Sequence, residues 1–79
     1  MIKPSFWRIY TNIAVSKADI ERLEYLFDDW PVVRFKQQVE PHNLICYDCN
    51  AVDVDEVADR LHTMGYEVIT TQSGVGPIP

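Results

Sequence analysis

Two cysteines, Cys46 and Cys49, form the C-x-x-C pattern that is most typical of metal or redox chemistry in this chain. Zinc binding and thiol exchange both need sulfur atoms that converge, which a loop or a helix N-terminus achieves at this spacing. His42, in a predicted turn, is the candidate third metal ligand. A strand through residues 44–49 would instead send the cysteines to opposite faces. We therefore expect no metal and no cofactor, and a metal or redox site at Cys46 and Cys49 stays an alternative.

A histidine with nearby carboxylates is the other pattern that could do chemistry. His62 follows Asp55 and Asp59 on a predicted helix. A histidine with carboxylates close to it can act as a general base. No serine or further acid is placed to complete a nucleophilic set, and the glycines Gly74 and Gly76 are not followed by a helix that would hold phosphate. We expect a surface histidine and no enzymatic activity.

Aromatic and cationic side chains alternate along three predicted strands. Their spacing of two places them on one outward sheet face, whose predicted contact residues are Phe6, Arg8, Tyr10, Arg34, Lys36 and Tyr47, with Val32, Ile45 and Ile69 beside them. Exposed aromatics mixed with arginine are typical of protein interfaces. We expect this face to bind a protein partner or a second copy of the chain. A strand register shifted by one residue would instead bury some of these side chains.

RNA-recognition domains use the same kind of face, where bases stack on aromatic side chains of the central strands. The third predicted strand here lacks the glycine-aromatic and basic residues of that family's signature and carries Asp48. The formal net charge of -5 also disfavours contact with phosphates. We expect no nucleic-acid partner, and a single-stranded nucleic-acid binder stays the alternative that this face suggests.

The predicted helices carry an acidic layer. Its outward positions hold Glu21, Glu24 and Asp28 on the first helix and Asp55 and Asp59 on the second. Such charges are commonly a solvated face. The sharper hypothesis is that this layer docks on a basic surface of a protein partner, since complementary charge speeds and orients association. It is our second choice of contact surface.

The acidic residues belong to two predicted helices. The first has Ser16 as N-cap and runs to about Trp30, where Pro31 stops it. The second starts with Asp53 as N-cap, helped by Glu56 in a capping box, and ends at a glycine at position 65 that suits the left-handed conformation. Each helix has one apolar stripe that must be buried.

Four strands are predicted, at residues 6–11, 32–39, 44–49 and 67–71, with Trp7, Ile9, Val33, Phe35 and Val39 facing inward. The order β-α-β-β-α-β predicts an α+β fold, the ferredoxin-like sandwich of two helices on one face of a four-stranded antiparallel sheet. The ferredoxin-like heavy-metal-binding domains resemble this chain in topology only. Their cysteine pair lies between the first strand and the first helix, where this chain has residues 11–15 and no cysteine.

The 79 residues predict a single domain, 1–79, with an ordered core at 5–71 and a flexible tail at 72–79. No apolar run reaches the roughly 20 residues of a membrane helix, and no secretion signal follows Met1. We expect a cytoplasmic protein without membrane contact, whose cysteines stay as thiols. We expect a small acidic protein that regulates, inhibits or assembles a protein partner, a class that includes phage-encoded inhibitors.

Overall fold

The computed structural model describes residues 4–26, 34–39, 41–47 and 51–77. Its elements are β1 (Phe6–Thr11), α1 (Lys17–Leu26), β2 (Arg34–Val39), β3 (His42–Tyr47), α2 (Ala51–Thr63) and β4 (Val68–Gly74). The four strands form one open antiparallel sheet in the order β2-β3-β1-β4, so β1 and β3 are central. The prediction of an α+β chain with two helices and an antiparallel four-stranded sheet is confirmed.

One face of the sheet packs against the helices. In the register, Trp7 and Ile9 of β1 lie opposite Cys46 and Leu44 of β3, and Phe35 of β2 also lies opposite Cys46, so all five share a face. Residues of both helices join this face in one buried cluster, which contains Ile9, Val15, Leu23, Leu44, Cys46, Val54, Val57, Leu61 and Tyr66. The predicted inward orientation of Trp7, Ile9 and Phe35 is confirmed.

The start of α1 is capped as predicted. Ser16 Oγ accepts a hydrogen bond from the backbone N–H of Asp19 at 3.2 Å, and the Ser16 carbonyl accepts the first helical bond from Ile20 at 3.0 Å. These bonds satisfy backbone groups that a helix end leaves without partners. The predicted end of the helix, including Trp30 and Pro31, lies outside the described residues.

Helix α2 begins earlier than predicted. It starts at Ala51, so Asp53 lies inside its first turn and is not the N-cap. Alanine is the strongest helix former, which favours this extension, and an acid in the first turn still suits the helix dipole. The predicted end is confirmed: Gly65 has a φ of 99°, and the paired bonds Gly65 N–H to His62 O and Tyr66 N–H to Leu61 O form a Schellman motif.

Strand β4 is longer than predicted. It continues past Thr71, the predicted end of the strand, to Gly74, so three residues of the predicted tail belong to the strand. Backbone pairing with β1 explains the difference, because Gln72 and Gly74 lie opposite Arg8 and Phe6 without any need for an alternating side-chain pattern. The described residues after the strand are tied back by a bond from the Gly76 N–H to Ser5 Oγ at 3.3 Å.

The β2–β3 hairpin is tighter than predicted. Strand β3 begins at His42, which pairs with Val39, although the sequence predicts a turn through positions 40–43 and a strand starting at Leu44. The strand ends at Tyr47, and the predicted continuation to Cys49 lies outside the described residues.

A glutamine of β2 joins the loop after β1 to the sheet. Gln37 Oε1 accepts the backbone N–H of Val15 at 2.7 Å, and Gln37 Nε2 donates to the Val15 carbonyl at 2.5 Å. Val15 itself is buried, so the amide satisfies two backbone groups that water does not reach. This contact holds the chain in place where it enters α1.

Across the part of the chain that the structure covers, neither helix has the length and apolar character needed to cross a membrane.

Candidate functional site

The open sheet face is the side of the sheet opposite the buried cluster. Residues that are paired on neighbouring strands point to the same face of a sheet. The strand register therefore shows which residues belong to the open sheet face. They form three rows across β2, β3, β1 and β4: Arg34, Tyr47, Phe6, Gly74; then Lys36, Ile45, Arg8, Gln72; then Gln38, Asn43, Tyr10, Thr70. All six predicted contact residues therefore lie on one face.

Ile69 joins this face at an irregularity of β4. The register shifts between Tyr10 and Thr11, which lie opposite Thr70 and Val68, so Ile69 is the extra residue. Val68 packs against the buried cluster, whereas Ile69 is 65% exposed. A large apolar side chain is thus placed at the edge of the open sheet face.

Phe6 is a supporting residue on this face and offers little contact area, since it is only 8% exposed. Its ring lies over the backbone of Gly74, and the Arg8 guanidinium carbon is 5.7 Å from the ring centroid, within range of a cation–π interaction. The ring therefore fills the gap beside a glycine and steadies the arginine.

Arg8 reaches across the sheet. Its Nη1 donates to Gln38 Oε1 at 2.8 Å, although Arg8 is on β1 and Gln38 is on β2 with β3 between them. The side chain must cross β3 between Asn43 and Ile45, the residues that pair with Tyr10 and Arg8. Those two residues are 1% and 0% exposed. The Arg8 side chain therefore lies over the middle of the open sheet face, where Asn43 and Ile45 are buried.

Other side chains of the face remain within reach of a partner. Tyr10 and Tyr47 are half-buried, and Lys36, Thr70 and Gln72 are exposed. The Tyr10 hydroxyl donates to Gln72 Oε1 at 3.3 Å. The period-two pattern of β2 predicts the outward position of Gln38, but Asn43 and Gln72 fall in a predicted turn and a predicted tail. Only the pairing of strands brings them to the face.

Charge separates the two sides of the molecule. The rows of the open sheet face contain Arg8, Arg34 and Lys36, and none of the residues that the register places there is Asp or Glu. On the helical side, the predicted acidic residues Glu21, Glu24, Asp55 and Asp59 are exposed. Asp28 lies outside the described residues. A protein of net charge -5 therefore carries a cationic face.

The helical side also holds a carboxylate with a shifted pKa. The Tyr66 hydroxyl donates to Asp19 Oδ2 at 2.6 Å, and this bond, followed by the bond with Ser16 and the charge of Arg22, lowers the pKa of Asp19 despite some desolvation. The same hydroxyl accepts the backbone N–H of Ser16 at 3.1 Å. This network is a structural joint between α1 and the segment before β4.

The candidate metal ligands do not come together in the described residues. Cys46 is 0% exposed and faces the helices within the buried cluster. His42 is half-buried, four residues before it on the same strand, which separates the two by roughly 13 Å. Cys49 lies outside the described residues. In the ranges that the structure covers, no three residues of the metal-ligating types are placed to hold an ion.

His62 and its carboxylates are surface groups of α2. His62, Asp55 and Asp59 are all exposed. A shallow cleft lined by His62, Asn12 and Glu67 lies next to the end of the helix. Within it, Asn12 Oδ1 accepts the Glu67 backbone N–H at 3.0 Å, which explains the asparagine as a loop clamp.

No protein-family model, curated protein or solved structure matches this chain.

Proposed function

We propose that this protein is a small non-catalytic binding module that regulates, inhibits or assembles a protein partner through its open sheet face. The observation that supports the proposal is the combination on one face of cations, half-buried tyrosines and an exposed isoleucine, with no acidic residue in its rows. Tyrosine and arginine are enriched at protein interfaces, where they supply much of the binding energy.

In this proposal the fold is the ferredoxin-like sandwich, and the protein works in the cytoplasm. The central position of β1 and β3 and the chain order β-α-β-β-α-β support the assignment of the fold. Because the helices occupy one face of such a sandwich, the opposite face is the broad surface left for a partner.

The experiment is affinity capture from lysate of the source or host cell, with elution in steps of rising salt. Lys36→Glu and Tyr47→Ala should each remove the partner while leaving the fold intact, because both change exposed or half-buried side chains of the face. Arg34→Glu, at the neighbouring position of β2, should act in the same way. Glu24→Lys on α1 is the matched control and should retain the partner.

The opposite pattern would identify the second candidate surface. If Glu24→Lys releases the partner while the sheet variants keep it, the acidic helical side is the contact and its partner has a basic surface. Exposure of Glu21, Glu24, Asp55 and Asp59 favours this candidate.

The cationic rows also favour single-stranded nucleic acid as an alternative ligand. That reading predicts a salt-sensitive affinity that Tyr10→Ala or Tyr47→Ala removes, because both tyrosines could stack on bases. Binding of labelled single-stranded DNA at low salt decides it, and a flat titration would exclude it.

A further inference from the structure

We infer that the open sheet face takes an acidic protein segment, and that Arg8 acts as a latch on it. A carboxylate of the partner would draw Arg8 away from Gln38 and uncover Ile45 and the side-chain oxygen of Asn43. The inference rests on the proposed function, since it uses the same face, and it adds the chemistry of the partner.

Charge selects the class of partner. Arg8, Lys36 and the position of Arg34 place basic residues on β1 and β2, and none of the residues that the register assigns to the rows is Asp or Glu. Like charges brought together at an interface weaken binding, whereas complementary charges orient the encounter. A basic partner is therefore disfavoured here and an acidic one is favoured.

Arg8 is held by a weak acceptor compared with the one that a partner would bring. Its Nη1 donates to the neutral amide oxygen of Gln38 at 2.8 Å. A carboxylate can accept two parallel bonds from guanidinium, and such charge-assisted bonds are about twice as strong as neutral ones. Exchange of Gln38 for a carboxylate would therefore give Arg8 stronger hydrogen bonds, and it would move the side chain off β3.

Asn43 gives an independent indication of a ligand. The residue is 1% exposed, and its Nδ2 donates to the Pro41 carbonyl at 2.6 Å, yet its buried Oδ1 has no hydrogen-bond partner. A buried acceptor without a donor is destabilising and is rare in folded proteins. Because Arg8 crosses β3 beside Asn43, movement of Arg8 would open this oxygen to an N–H of the partner.

A polypeptide provides both groups in one molecule. Acidic side chains supply the carboxylate for Arg8, and the backbone of the same segment supplies N–H donors for Asn43 Oδ1. Ile45, fully buried beneath Arg8, would become apolar contact surface for it. The net charge of -5 disfavours the long polyphosphate of a nucleic acid, which the whole molecule repels, more than it disfavours a short acidic segment.

The test starts from a displayed library of random peptides selected on the intact protein. We expect the selected peptides to be rich in Asp and Glu. The dissociation constant of a labelled selected peptide is then measured with three variants and a control. Arg8→Gln should weaken binding by about tenfold or more, because it removes the charged fork. Arg60→Gln, an exposed arginine of α2, is the control and should leave binding unchanged.

Substitutions of Gln38 separate a latch from a structural role. Gln38→Ala should tighten binding, since Arg8 loses its internal acceptor, and Gln38→Glu should weaken it, since a carboxylate then holds Arg8 inside the protein. A purely structural role of the Arg8–Gln38 bond predicts that Arg8→Gln and Gln38→Ala weaken binding alike. Circular dichroism of each variant verifies that the fold is kept.

Several results would overturn the inference. They are selection of basic peptides, failure to select any peptide, unchanged binding by Arg8→Gln, and weaker binding by Gln38→Ala. Self-association that Glu24→Lys removes would show that a second copy occupies the face, and tighter binding of single-stranded DNA than of any peptide would replace the partner class. In each case the proposed function is tested separately. Release of a captured protein by Lys36→Glu and Tyr47→Ala supports it, and retention by both variants contradicts it.

Discussion

The aromatic ring of Phe6 lies against the backbone of Gly74, so that a Cβ atom at Gly74 would collide with the ring. The two residues are paired in the register, on the first strand of the chain and the last. An aromatic ring over a strand glycine covers backbone that would otherwise be exposed at a sheet edge. The pair therefore joins β1 to β4 and leaves Phe6 almost fully buried.

Gly74→Ala should destabilise the protein by about 1–3 kcal/mol, the usual cost of forcing extra volume into a packed site. The added methyl group collides with the ring, which must turn toward solvent. Urea unfolding measures the change, and Ser73→Ala, at the exposed neighbouring position on the opposite sheet face, is the control. The cost should disappear in a Phe6→Ala background, and persistence of the cost there would show that the ring is not its cause.

Gln37→Ala should destabilise the protein by about 2–4 kcal/mol, because the buried N–H and C=O of Val15 both lose their partner. Gln72→Ala removes a glutamine from the exposed side of β4 and is the control, with a change within about 0.5 kcal/mol. Urea unfolding compares the two. Equal stability of both variants would mean that water replaces the amide of Gln37.

Asp19 should make stability depend on pH in the acid range. Its pKa is lowered in the folded state from the ordinary value of 3.8, chiefly by the Tyr66 hydroxyl, so its contribution is present above that value and is lost as the pH falls through the lowered folded pKa. Tyr66→Phe should raise the pKa of Asp19 and make acidification less destabilising. Carboxyl-detected NMR titration gives the pKa, and urea unfolding at each pH gives the stability. An unchanged pKa in the variant would contradict the assigned cause.

The thiol of Cys46 should react with an aromatic disulfide reagent only as the protein opens, because the residue is 0% exposed in the buried cluster. The measurement uses the Cys49→Ser variant, in which Cys46 is the one remaining cysteine. The rate should rise with urea in step with unfolding. Rapid reaction in native buffer, or stoichiometric zinc or copper that Cys46→Ser removes, would support the metal or redox alternative.

The alternation of side chains along a strand predicts which face of the sheet each residue takes. Trp7 and Ile9 point to the helices and Arg8 and Tyr10 point away, as their spacing of two requires. The boundaries are less well predicted. Polar strand residues such as Gln72 owe their place to backbone pairing with β1, which leaves no mark in their own sequence.

The candidate site was only partly predictable for the same reason. The spacing of two along β1 places Phe6 and Arg8 on the open sheet face and predicts that both contact a partner. Phe6 is covered because Gly74, distant in the chain, provides room for its ring. Arg8 is engaged because Gln38, on the far side of β3, lies within hydrogen-bond distance.

The sequence by itself determined the order of helices and strands, the cap at Ser16, the left-handed stop at Gly65 and the two faces of the sheet, because these depend on residues close together in the chain. Tertiary structure alone decided the use of Gln37 as a clamp on Val15, of Tyr66 as a joint to Asp19 and of Phe6 as cover for Gly74. Each of these contacts joins residues that local propensity does not relate, and only strand pairing and helix packing bring their atoms within range.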